Sequence, residues 1–414
     1  MGLSRFALLL VMFIDVMGQG LIFPIVNTIL LDPSQAFLPH NTPHASRSFD
    51  YGLVIGVFFL FYFLGAAFIS KLSDYIGRKA GIMICLTGTL AGYLLTLAAL
   101  YSSSYLLLLL GRAISGFTSG NQPIAQAALI DMSVDEQDKS RNLGHVVAAA
   151  ALGLVGGPVI AGLLSDSSVV GSIASLELPF YAAAFLVLVN MTLIMAFFHE
   201  GRFERRNIDF GLSEVFLTLW RVRERPAVLR LSLVMFFGLL ALNAFYIFLD
   251  TYLLDRFHFG TLQNSMALTV FGLTMALASA FLVAPLHRHY SKVWTVFLSV
   301  AVMGVFVWVF ALNPIAELSY VVIVPIVIGF AVMYPTMLAL FSASVDAQDQ
   351  GWVMGVTVAL YALGSGSISL LGGWLMAIDI RLPFYVAIGC SMITLVLILS
   401  LCQDDSVRRL DIQG

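Results

Sequence analysis

Charge is what this chain has least of. Only 11% of its 414 residues are Asp, Glu, Lys or Arg, while 60% are hydrophobic. Soluble domains carry about 25% charged residues, and a surface this poor in charge cannot face water on all sides. The chain therefore reads as a polytopic membrane protein surrounded by lipid bilayer, with no segment polar enough for a separate soluble domain. Cysteine is scarce too: Cys85, Cys390 and Cys402, an odd and unclustered set of 3, which argues against a disulfide framework or a metal centre. A net charge of −3 is too near neutral to speak for or against nucleic acid, but no basic run interleaved with aromatics is present, so no nucleic-acid partner is expected. A Gly-x-x-x-x-Gly-Lys-Ser/Thr loop is missing, which makes an ATP-driven pump a poor reading. Neither a His/Glu nor a Ser/His set stands out from the apolar runs, so neither an enzyme nor a resident cofactor is expected.

What is abundant is long apolar sequence. A helix needs about 20 apolar residues to cross a bilayer. On that scale twelve helices are expected, near 6–31, 50–72, 80–101, 104–130, 142–164, 179–198, 229–253, 262–286, 293–312, 318–342, 351–375 and 382–402. The first run carries Asp15 and no small-residue cleavage pattern, so it is read as a helix rather than a signal peptide. Lys and Arg in short loops mark the cytoplasmic side. Most of them, among them Arg5, Lys71, Lys139, Arg288, Lys292 and the arginines between 202 and 230, fall on one side of the twelve spans. Only Arg47, Arg256 and Arg381 fall on the other. Both termini are thus expected in the cytoplasm; separately, the chain is expected to act as a monomer in an inner (cytoplasmic) membrane. The longest outer loop, 32–49, holds His40 and His44, read as part of a solvated Pro-containing loop rather than a metal site.

The two ends of the sequence echo each other. Val11-Met-Phe13 recurs as Val234-Met-Phe236, and Thr28-Ile-Leu-Leu-Asp32 as Thr251-Tyr-Leu-Leu-Asp255, at the same offset. Ser133-Val-Asp-Glu-Gln-Asp138 recurs as Ser344-Val-Asp-Ala-Gln-Asp349, and Leu178-Pro-Phe-Tyr181 as Leu382-Pro-Phe-Tyr385. An ordered set of matches implies duplication. The expected fold is all-α, with two pseudo-symmetric six-helix halves and a small-molecule site between them. The halves are expected at 1–198 and 229–414, joined by a basic cytoplasmic linker at 199–228.

Asp15 and Arg112 are the residues hardest to place in lipid, and an ionisable group at membrane depth is a functional candidate by default. An acid and a base in separate spans can neutralise each other or take turns with a proton and a substrate. Arg112, Ser115, Ser119, Gln122 and Gln126 recur at spacings that put all five on one face of span four, a stripe about 21 Å long. Hydrogen bonding between helices would explain the Ser and Gln residues. Arg112 favours a cavity. Asp15 shares a face with Gln19. Asn243, Tyr246 and Asp250 share one in span seven, where Asp250 aligns with Asn27 of the first half. Thr357, Tyr361 and Ser365 share one in span eleven, where packing explains the pattern equally well. Tyr334 and Tyr361 add aromatic faces suited to a cationic or neutral amphipathic molecule.

Three motifs carry a family resemblance. Ser70-Lys-Leu-Ser-Asp74-Tyr-Ile-Gly77-Arg78-Lys79 resembles the loop signature Gly-x-Leu-x-Asp-x-x-Gly-Arg-Lys of the major facilitator superfamily, with Ser70 replacing the first Gly. Gly153-Leu-Val-Gly-Gly157-Pro158-Val-Ile-Ala-Gly162 resembles its antiporter signature. Asp15-Val-Met-Gly-Gln-Gly20-Leu-Ile-Phe-Pro24, together with Leu110-Gly-Arg112-Ala-Ile-Ser-Gly116, is similar to the tetracycline/proton antiporters and related twelve-span drug exporters. The resemblance implies proton-coupled export of a small organic molecule, with Asp15 and Arg112 as coupling residues. It also implies a cytoplasmic gate in which Asp74 meets the start of span eleven near Gln350-Gly351. Asp131 and Arg141 flank the loop after span four and are expected in the same cluster. Tetracycline exporters carry an acid in span three, where Ala91-Gly92 stands here, and spans eight and nine hold no acid, which argues against tetracycline as the substrate. A siderophore or other metabolite carried on the same fold, and a sensor without transport, are the competing readings.

Overall fold

A computed structural model describes residues 2–200, 219–346 and 349–402. Most of the expected linker, together with Arg202, Arg205, Arg206, Arg408 and Arg409, lies outside these described residues. The regular structure within them is helical: α1 Leu3–Leu31, α2 His44–Ile76, α3 Arg78–Ser102, α4 Tyr105–Thr118, α5 Asn121–Asp131, α6 Glu136–Ser165, α7 Ser167–Val170, α8 Leu178–Phe197, α9 Pro226–Phe257, α10 Thr261–Phe281, α11 Val283–His289, α12 Lys292–Leu312, α13 Leu318–Ala343, α14 Gln350–Ile378 and α15 Leu382–Cys402, with a few short 3-10 turns. Among the described residues, 11 helices are long and apolar enough to cross a membrane.

The remaining expected span, 104–130, is broken into α4 and α5. Pro123 has no N–H to donate to the carbonyl of Ser119, one turn earlier, and its ring crowds that carbonyl. The hydroxyls compound the effect: Thr118 donates to Ile114 O at 2.8 Å and Ser119 to Ser115 O at 2.7 Å. Gly120 then separates the two helices. The polar stripe is therefore carried on two short helices rather than on one continuous face.

The outer loop is shorter than expected, because α2 starts at His44. Arg47, assigned to that loop by sequence, lies inside the helix and is 2% exposed. Its guanidinium donates to Leu30 O at 2.9 Å, Pro39 O at 3.0 Å and Thr42 O at 3.2 Å. Leu30 O belongs to the last turn of α1, where carbonyls lack helical donors, so a buried cation is accommodated by backbone oxygens.

By their contacts the chain falls into two compact units, Met1–Leu212 with Phe259–Thr269, and Ser213–His258 with Val270–Gly414. In the first unit α1 and α6 approach at glycines. A Cβ on Gly153 would lie 2.5 Å from Phe13 O, and one on Gly157 would lie 2.3 Å from Met17 O. In lipid, helix association relies on this kind of backbone approach rather than on a hydrophobic drive. Pro158 stays within α6 and packs its ring on Gly20 of α1. Gly162 admits the side chain of Ser265, from the opening of α10.

The second unit is built around aromatic packing. Phe245 of α9 meets Phe310 with ring centroids 5.1 Å apart, and Tyr252 meets Phe384 at 4.7 Å. Tyr252 completes its hydrogen bonding by donating to Ala311 O at 3.1 Å. This is the arrangement an aromatic ring with a polar tip requires when it is fully buried.

Candidate functional site: buried charges and a charged loop

Asp15 lies midway along α1 and is 8% exposed. It makes no hydrogen bond or ion pair among the described residues. Arg112, in the last two turns of α4, is 5% exposed. Its guanidinium carbon stands 4.3 Å from the centroid of the Phe58 ring, and its Nε has no hydrogen-bond partner among the described residues. The two charges do not pair in this conformation. A cation over an aromatic face is stabilised without a carboxylate, which lets Arg112 remain buried while apart from Asp15.

Tyr93 of α3 was not singled out from the sequence, which drew attention to Ala91-Gly92 instead. It is a side chain within electrostatic reach of both Asp15 and Arg112. Its ring packs 6.2 Å from that of Phe180, centroid to centroid. Its hydroxyl oxygen lies 2.3 Å from where a Cβ on Gly18 would stand. The bare Gly18 thus admits a phenol against α1, less than one turn beyond Asp15.

The other expected cavity residues are not alike. Ser115 and Ser119 are buried. The Ser115 hydroxyl fills the space beside Gly92, where a Cβ would be 1.9 Å away, so it packs between α3 and α4. Gln19, Gln122 and Gln126 are half-buried. Asn27 is fully buried, and neither of its amide atoms has a partner among the described residues. In the second unit, Asn243 donates to Leu239 O at 2.9 Å on its own helix. Tyr246 packs on Phe271 with centroids 4.6 Å apart. Asp250 is 1% exposed and accepts from Thr251 N at 2.8 Å. Tyr334 is half-buried against Phe330, and Tyr361 is half-buried as well.

The loop between α2 and α3 forms a charged knot. Gly77 has φ +104°, a left-handed conformation that glycine adopts without strain, and it both ends α2 and precedes α3. Arg78 pairs with Asp74, donates to Ser73 Oγ at 3.2 Å and reaches Asp131 at 3.8 Å. Asp131 therefore joins this cluster as expected from sequence. Arg141 does not, because the start of α6 offers it a nearer acid: it pairs with Asp138 at 2.6 Å. Lys79 sends its ammonium to Met195 O at 2.9 Å. Glu200, which sequence reasoning passed over, accepts hydrogen bonds from the backbone N–H groups of Arg78 and Lys79. At the start of α14, Asp349 pairs with Arg225 at 2.9 Å and with Arg221 at 3.7 Å.

The family model described as Major Facilitator Superfamily matches residues 8–368 and 232–410. The tetracycline resistance protein, class C, of Escherichia coli is 28% identical over 361 residues, covering 85% of this chain and 84% of that protein. The quinolone resistance protein NorA of Staphylococcus aureus is 25% identical over 401 residues, covering 95% of each. Among solved structures, the human organic anion transporter MFSD10 (TETRAN) superposes with a TM-score of 0.72 at 20% identity, covering 96% of this chain and 99% of that one. A D-xylose-proton symporter superposes with a TM-score of 0.75 at 12% identity, covering 95% and 97%. At these identities the two structures speak to fold alone.

Proposed function

We infer that this chain, which belongs to the Major Facilitator Superfamily, exchanges protons for a small amphipathic organic molecule and exports that molecule by alternating access. The observation that carries the reading is Asp15: a buried acid midway along the apolar helix α1, with neither a hydrogen bond nor an ion pair among the described residues. Such a group is costly to keep, and a carboxyl free of fixed partners can take up and release a proton as its surroundings change. Arg112, held over Phe58, supplies a permanent positive charge in the same unit. Approach of Arg112 would favour the ionised form of Asp15, and separation would favour the protonated form. A conformational cycle that alters their distance couples proton movement to transport.

The similarity over most of the chain to proteins named for tetracycline and quinolone resistance supports an organic substrate moving outward. Substrate binding is assigned to the half-buried polar and aromatic groups, Gln19, Gln122 and Gln126 in the first unit and Tyr246, Tyr334 and Tyr361 in the second. The Asp74–Arg78–Asp131 cluster is assigned to gating. The excess of Lys and Arg in one set of loops supports cytoplasmic termini, in a bacterial inner membrane.

The test is reconstitution into proteoliposomes with an imposed pH gradient, followed by a screen of lipophilic cations, neutral aromatics and polyanions. Uptake of a cation or neutral aromatic, driven by the gradient and abolished by a protonophore, supports the reading. Gradient-driven movement of polyanions alone would replace it with a metabolite or siderophore carrier, and no transport by any class would favour a sensor.

A further inference from the structure

We propose that Glu200 is the positioning residue of the loop between α2 and α3, and that it sets the balance between the transporter's two access states. The inference rests on reading that loop as a gate. Arg78 and Lys79 are the first two residues of α3. Backbone N–H groups there lack helical acceptors, and the helix dipole makes a helix N-terminus unfavourable for cations. Two consecutive basic residues at this point therefore need a nearby acid. Glu200, just beyond the end of α8, supplies it: one carboxylate oxygen accepts from Arg78 N and the other from Lys79 N at 3.4 Å.

The fit is specific. A Cβ on Gly77 would lie 2.6 Å from Glu200 Oε2, so the carboxylate occupies space that only glycine leaves open. Glycine is thus required there both for its positive φ and for the Glu200 carboxylate. The consequence reaches the side chains. With the Glu200 carboxylate on the two backbone amides, the Arg78 guanidinium turns to Asp74, Ser73 and Asp131. Lys79 is drawn to Met195 O at the end of α8. The start of α3 and the end of α8 are held together at two points, and the acid–arginine cluster is assembled on that support.

The experiment uses the full chain with Gln126→Cys introduced in a background lacking the native cysteines. Labelling by a membrane-impermeant maleimide is compared in vesicles of the two orientations, giving a ratio of access from the two faces. Glu200→Gln keeps the size and removes the charge, and should shift that ratio by about threefold, on the scale of a charge at a helix terminus. Gly77→Ala should shift it in the same direction. Glu200→Asp, which keeps the charge, should recover part of the effect. A lowered Tm with an unchanged ratio in Glu200→Gln would make the residue a structural cap only and overturn the proposal. Asp74→Asn is the control. If Asp74→Asn moves the ratio and Glu200→Gln does not, the Glu200 proposal alone fails. If neither moves it, the reading of this loop as a gate fails with it.

Discussion

Arg5 donates to both carboxylate oxygens of Asp138, at 3.0 and 2.7 Å, and so ties the start of α1 to the start of α6. Asp138 closes the hexapeptide Ser133–Asp138, whose repeat closes on Asp349, and Asp349 pairs with Arg225 just before α9. Each half thus links its first long helix to its fifth by an Arg–Asp pair at equivalent ends. Ion pairs near the surface add little stability by themselves, so recurrence in both halves points to orientation of the helices. Arg5→Asp should slow transport and lower Tm by a few degrees, and Asp138→Arg should do the same. The double exchange should recover both, measured as transport rate and thermal unfolding in detergent.

Tyr93 offers a probe of the surroundings of Asp15 and Arg112 that the sequence did not suggest. Tyr93→Phe removes the hydroxyl that interacts electrostatically with both Asp15 and Arg112 and should leave folding intact while altering the pH profile of transport. Gly18→Ala should be more damaging, because the new methyl meets the phenol oxygen at 2.3 Å. Measured pH–rate curves for the two variants decide the point.

Close approach of α1 and α6 predicts a steric ladder. Gly157→Ala puts a Cβ 2.3 Å from Met17 O, nearer than backbone can tolerate without a shift. Overpacking of this kind costs about 1–3 kcal/mol. Gly144→Ala, on the same helix with open space around it, should be close to neutral. Thermal unfolding of the two variants should differ accordingly.

Arg112→Lys should restore only part of the activity lost in Arg112→Ala, since an ammonium lacks the planar face that stacks on Phe58. Phe58→Leu should resemble Arg112→Lys more than the wild type. Transport rates in proteoliposomes at fixed pH test this comparison.

Several features were legible in the sequence because they depend on local pattern. Apolar run length located the helices, and the repeated peptides revealed the duplication. The Asp74–Arg78–Asp131 cluster followed from one motif and its neighbour. The break after Thr118 was also readable, since Pro123 deprives the carbonyl of Ser119 of its donor, but a continuous apolar count obscured it. Glu200, Tyr93 and the burial of Arg47 were not legible. Each gets its role from a partner distant in sequence: a positive-φ glycine, a bare glycine on another helix, and the last carbonyls of α1. Such partners are set by tertiary packing and leave no periodic trace.

The most direct test of the account is Asp15→Asn in proteoliposomes, comparing accumulation driven by a pH gradient with exchange at zero gradient. Asn keeps the shape of the side chain and cannot carry the proton. The account predicts that substrate exchange persists while gradient-driven accumulation is lost. Wild-type accumulation in the Asn variant, with unchanged pH dependence, would contradict it and remove Asp15 from the coupling mechanism.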